Sequence, residues 1–91
     1  MLKIKPATQF QKDIKKFKHN QSVINELNEV LNILVQGEDL PAKYQDHKLS
    51  GKWKGYRECH LKPDALLIYH VDSEDEMLTL ARCGSHSELF T

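Results

Sequence analysis

The sequence predicts an α+β fold in which a two-helix hairpin packs on a small antiparallel sheet, and three observations carry that expectation. Residues 10–17 and 24–34 repeat apolar side chains at helical spacing: Phe10, Ile14 and Phe17, then Ile24, Leu27, Val30, Leu31 and Leu34. Residues 56–61, 65–71 and 77–83 are short strand-like runs separated by turn-forming residues. The 91 residues allow a single domain, spanning residues 1–91, with one modest core. The helical stripes therefore need the sheet to cover them.

In chain order, Leu2–Lys5 alternates apolar and basic residues and reads as a first strand closed by Pro6. Thr8 with Gln11 fits a capping box that opens the first helix. Lys12, Lys15, Lys16 and Lys18 fill the outer face of that helix. His19–Gln21 is a polar break, and Ser22 is the expected N-cap of the second helix. Gly37 supplies a left-handed C-terminal cap, and Pro41 blocks continuation. Lys43–Gly55 has no clear period and reads as a long ordered loop, a feature that is usually functional in so small a domain. Tyr56–Leu61, Ala65–Val71 and Met77–Cys83 follow as an antiparallel meander. Its middle strand is nearly all apolar, as expected for a strand covered on both faces. Ser85–Phe90 reads as one helical turn or a folded tail.

Apolar residues at 40% and charged residues at 29% describe an ordinary folded protein rather than a disordered one. The longest apolar run, Ala65–Tyr69, is far too short for a membrane span, and the N-terminus has no apolar signal region. A cytoplasmic location with no membrane partner is expected. The two cysteines, Cys59 and Cys83, are too few for a disulfide framework and are read as buried packing groups.

A net charge of zero conceals an asymmetry. Residues 1–19 carry six lysines against Asp13 alone, and residues 43–62 carry five lysines and Arg57 against Asp46 and Glu58. Acids collect elsewhere, notably Asp72, Glu74, Asp75 and Glu76. Such a basic face attracts polyanions. Within it, His47, His60 and Asp64 fall close together, with Lys48, Lys52, Lys54 and Arg57 around them. A second stretch holds Arg82, His86 and Phe90. Imidazoles, a carboxylate, fixed cations and an aromatic face are the parts needed to bind RNA and move protons on it. In a meander the last strand ends beside the start of the preceding one, so Arg82 and His86 are expected near His60 and Asp64. Asp64 is then the carboxylate that would orient His60. Trp53 and Tyr56 read as anchors of the loop, and Phe90 as the better stacking platform. His19 and His70 read as surface or packing residues.

No metal or other cofactor is expected. Cys59–His60 and Cys83-x-x-His86 contain zinc-ligand types, but structural zinc wants four ligands at paired short spacings. Cys59 and His60 are also strand neighbours, so their side chains point to opposite faces.

These residues together form a recognisable pattern. Asp46–His47, Leu49, Gly51, Trp53–Arg57, His60, Pro63–Asp64 and Leu67–Tyr69, with the ending Arg82-x-Gly84-x-His86-x-x-Leu89–Phe90, resemble the YafQ-like branch of the RelE/ParE toxin superfamily. The resemblance covers essentially the whole chain and implies the RelE-like fold. It also implies a metal-independent endoribonuclease of a type II toxin–antitoxin module that cleaves mRNA in the ribosomal A site. Its partners would be mRNA, the ribosome and a cognate antitoxin. Catalytic or RNA-contacting roles would fall on His47, His60, Asp64, Arg82, His86 and Phe90. His86 is assigned as acid and His60 or His47 as base, with Lys48, Lys52, Lys54 and Arg57 on the RNA backbone. Two alternatives stand beside this reading: a gyrase-poisoning member of the superfamily, which needs no histidine cluster, and an RNA-binding module without chemistry.

Overall fold

The computed structural model describes residues 1–90. Its order is β1 (Lys3–Pro6), α1 (Thr8–Lys15), α2 (Gln21–Val35), β2 (His47–Lys48), β3 (Arg57–Lys62), β4 (Ala65–Asp72), β5 (Met77–Gly84) and α3 (His86–Leu89). The five strands form one sheet in the order β1-β5-β4-β3-β2. The meander is as expected, with β4 central. Two pairings were not legible in the sequence. β1 runs parallel to β5, Lys3–Pro6 against Met77–Leu80. β2 is a two-residue strand inside the long loop, with His47 opposite Glu58 and Lys48 opposite Arg57. The loop also holds 3-10 turns at Ala42–Tyr44 and Gly51–Trp53.

Helices α1 and α2 cover one sheet face. Phe10, Val23, Leu27, Val30 and Leu34 pack there against Cys59, Leu67, Tyr69, Leu78, Leu80 and Cys83. The thiols are buried as expected, and burial raises both pKa values, that of Cys83 to about 12. Among the described residues, the opposite face is covered by α3 and the loop. Leu66, Ile68, Ala81 and Leu89 form a smaller cluster there with Leu49, Trp53, Tyr56 and Phe90. Trp53 and Tyr56 are thus loop anchors, packed edge to face with ring centroids 5.3 Å apart.

The helix ends correct three expectations. Ala7, not Thr8, is the N-cap of α1 and makes no side-chain cap, while the Gln11 amide donates to the Pro6 carbonyl at 3.1 Å. Asn20, not Ser22, caps α2 by accepting from the Val23 N–H at 3.3 Å, and Ser22 donates to that same Asn20 oxygen. The first helix ends at Lys15, so Lys16 and Lys18 lie in the turn beyond it. At the other end of α2, Gly37 at φ 74° and Glu38 close a Schellman motif onto Leu34 and Ile33, as the glycine predicts. No helix among the described residues is long and apolar enough to cross a membrane.

Candidate active site

Strand alternation and cross-strand register decide which side chains share the open face. His47 lies opposite Glu58, Glu58 opposite Ile68, and Ile68 opposite Arg82. In the next row His60 lies opposite Leu66, and Leu66 opposite Gly84. These two rows place His47, Glu58, His60 and Arg82 on the face away from α1 and α2. Gly84 leads directly into α3, which begins with His86.

Glu58 is the centre of this arrangement. Only 4% exposed, its Oε1 lies 3.5 Å from His47 Nε2 and 3.4 Å from His60 Nε2. The two imidazoles are 6.3 Å apart between centroids. His47 is held from its other side, with Nδ1 2.9 Å from the Gln45 carbonyl. Gln45 has a left-handed φ of 50°, which turns the chain into β2. The sequence reading missed Glu58. The signal was present, because residues two apart on a strand share a face and Glu58 precedes His60 by two.

Asp64 was expected to orient His60, and the geometry corrects that. It sits exposed in the turn between β3 and β4, and among the described residues no hydrogen bond or ion pair joins it to a histidine. A carboxylate in the turn has passed the strand position from which a side chain reaches His60. Glu58, on the same strand and face, has not.

His86 opens α3, where Ser85 and Glu88 form a full capping box. The Ser85 N–H donates to Glu88 Oε1 at 2.8 Å, and the Glu88 N–H donates to Ser85 Oγ at 3.3 Å. The bond from the Ser85 backbone lowers the Glu88 pKa. Leu89 is buried in the open-face cluster, anchoring this short helix to the sheet. Phe90 is half-buried against the same cluster rather than in a free tail, and its ring lies 4.8 Å from that of His86. His60 and Gly84 stand at opposite ends of a three-residue row, about 10 Å apart by strand spacing. His86 lies two residues beyond Gly84, past the end of that row opposite His60.

Of the expected cations, Lys48, Lys52 and Lys54 are exposed. Lys48 and Lys54 line a shallow groove of about 430 Å³ with Tyr56 and His70. Arg57 lines the same groove, opposite Lys48 in the sheet. It pairs across the sheet with Tyr69, whose side chain belongs to the helix-covered core. Its Nε and Nη2 donate to Asp46 Oδ2 at 2.9 and 2.7 Å, and Asp46 also accepts from the Tyr69 hydroxyl. The Asp46 bond raises the Arg57 pKa. Arg82 is also paired, to Asp13 on α1.

The arrangement offers two imidazoles sharing a buried carboxylate on the open sheet face, a third imidazole beside an aromatic ring on α3, and a guanidinium held at the β5 edge by Asp13. Such a set can take a proton, return one and neutralise an anion.

The profile of a family described as bacterial toxin of type II toxin–antitoxin system, YafQ, matches residues 2–91. The mRNA interferase toxin YafQ of Escherichia coli K12 is 39% identical over 88 residues, covering 96% of this chain and 94% of the relative. Among solved structures, a metal-bound toxin from Helicobacter pylori is 44% identical with a TM-score of 0.90, covering 99% of this chain and 100% of its own. The match to the E. coli DinJ–YafQ complex is 37% identical with a TM-score of 0.86, and it covers 100% of both chains.

Proposed function

This chain belongs to the YafQ family of bacterial toxins of type II toxin–antitoxin systems, and from that premise we propose that it is a ribosome-dependent endoribonuclease cutting mRNA in the ribosomal A site. Translation stops as a result, and a cognate antitoxin silences the toxin. The observation that carries the reading is the pair of imidazoles sharing one buried carboxylate on the open sheet face. A named mRNA interferase among the relatives and a relative solved in complex with DinJ support the substrate and the antitoxin.

In this reading His60 or His47 is the base that takes the ribose 2′-hydroxyl proton. The 2′-oxygen forms a bond to the adjacent phosphorus, the bond to the 5′-oxygen breaks, and His86 protonates that leaving oxygen. Glu58 takes the orienting role and stabilises whichever imidazole carries the proton. Arg82 meets the charge building on the phosphate, and Asp64, exposed at the hairpin tip, is available to the substrate itself. Lys48, Lys52 and Lys54 contact the RNA backbone, and Phe90 offers a face to a base. Both proton transfers are met by imidazoles, so the proposed reaction needs no metal.

Ribosome dependence follows from the scarcity of stacking surface. Phe10 and Tyr69 are buried, Phe17 packs against the core, and Trp53 and Tyr56 anchor the loop. Little is left to splay an RNA, and a ribosome supplies the missing alignment. The test compares wild-type protein and His86→Ala on naked mRNA and on programmed ribosomes with an open A site, with and without EDTA. The expected result is prompt, EDTA-resistant cleavage on ribosomes alone, reduced about 10²–10⁴-fold in the variant. Equal rates on free and ribosome-bound message would defeat ribosome dependence, and undiminished cleavage by the variant would remove His86.

A further inference from the structure

Asp13 is an unusual residue for its helix. It falls on the apolar stripe of α1, three residues after Phe10, and is 2% exposed. Its carboxylate accepts from Arg82 Nε at 2.7 Å and from the Cys83 backbone N–H at 3.0 Å through Oδ2. Its Oδ1 accepts from Arg82 Nη2 at 3.3 Å and from the Gln9 amide at 3.1 Å. Burying a carboxylate costs several kcal/mol, and an apolar residue at such a site is often at least as stabilising. Fold stability alone therefore gives little reason for an acid here.

The location supplies another reason. β1 pairs with β5 as far as Leu80, so among the described residues the outer edge of Ala81–Gly84 has no strand neighbour. The register against β4 also shifts between Ile68 and Tyr69, leaving Ala81 as the extra residue. An irregular, half-open strand would leave Arg82 free to swing. Asp13 closes that edge from outside. It grips the Nε–Nη2 side of the guanidinium and leaves Nη1 with no protein partner among the described residues. Its bond to the Cys83 N–H also fixes the backbone three residues before His86.

We infer that Asp13 is a positioning residue for RNA cleavage: from helix α1 it holds the Arg82 guanidinium with its free edge toward the scissile phosphate. This rests on the role proposed above for Arg82. A side chain that only positions another loses its effect once the other is gone.

The experiment is a cycle of Asp13→Asn, Arg82→Ala and the double variant, measured as maximal single-turnover cleavage and half-saturating toxin concentration on programmed ribosomes. Asparagine keeps the shape and an acceptor for the Cys83 N–H while removing the charge. Asp13→Asn should lower the maximal rate about tenfold with half-saturation nearly unchanged, and Arg82→Ala about a hundredfold or more. The double variant should match Arg82→Ala. Should Asp13→Asn fold poorly by circular dichroism, Arg82→Lys is decisive. It keeps the charge but cannot be gripped as a fork, so its rate should fall close to that of Arg82→Ala. A wild-type rate in Asp13→Asn or Arg82→Lys, or a full further loss in the double variant, overturns the inference. A wild-type rate in Arg82→Ala instead overturns the proposed role of Arg82 itself.

Discussion

A carboxylate as enclosed as Glu58 is costly unless charged or polar neighbours use it. Here two imidazoles do, at 3.4 and 3.5 Å. Glu58→Gln keeps the side chain's shape and removes the charge that holds both rings. Losing one charged contact of about 1.5 kcal/mol corresponds to about tenfold in rate. Cleavage on programmed ribosomes should therefore fall at least that far, with the urea midpoint nearly unchanged. Full activity in this variant would show that the shared carboxylate only fills space. Arg57 illustrates the opposite outcome for a charged residue. The sequence placed it among the RNA contacts, yet its pairing with Asp46 on the helix side consumes two of its donors.

At the scale of elements, two attachments hold the end of β5 and α3 together. Helix α3 has four residues, too few to be stable alone, so its place depends on the capping box and on Leu89. Leu89→Ala removes that anchor. The cost should be near the low end of the roughly 2–5 kcal/mol typical of buried leucines, because a surface helix can undock rather than leave a cavity. Activity should fall much further than stability, since His86 and Phe90 lose their seat. Parallel losses in melting temperature and cleavage would refute that. The second attachment is Asp13 between α1 and β5. Burial raises its pKa, but the bonds from Arg82, Cys83 and Gln9 outweigh this, and the net shift is downward. Its folded pKa lies below the unfolded value of about 3.9. Its stabilisation is therefore complete above that value and is lost as pH falls through the depressed one. Urea unfolding should show wild type more stable than Asp13→Asn at pH 7, with the gap shrinking below about pH 4. A gap unchanged down to pH 2 would show that the carboxylate's charge contributes nothing.

Over the whole molecule, basic and acidic groups both lie along the strands: Lys48 and Lys54 line a groove with His70 and Val71, beside the acidic turn after Asp72. The acidic turn after Asp72 and the row containing His60, Leu66 and Gly84 lie at opposite ends of β4, about 20 Å apart at strand rise. Lys52 and Lys54 stand exposed in the turn that covers the open face. Reversing both to Glu should weaken ribosome association and flatten its salt dependence, whereas wild-type binding should fall steeply between low and moderate salt. Binding that ignores salt in the wild type would show that these lysines are only solvated.

The sequence by itself determined the family and the elements other than β2. Apolar repeats at helical spacing marked α1 and α2, Gly37 marked the end of α2, and the three late runs marked a meander with an apolar middle strand. These are short-range properties, set by backbone sterics and by the face each residue must bury. It also named most of the chemical groups on the open face. Only the tertiary structure decided how those groups are connected. Asp13 meets Arg82 across 69 residues, and Tyr69 meets Asp46 across 23. β1 finds β5 across the whole meander, and a one-residue shift at Ala81 resets which side chains face the helices. Which carboxylate serves which cation depends on register and on the packing of distant elements. Asp64 was the partner expected for His60 along the chain, and the strand's two-residue alternation put Glu58 within reach instead.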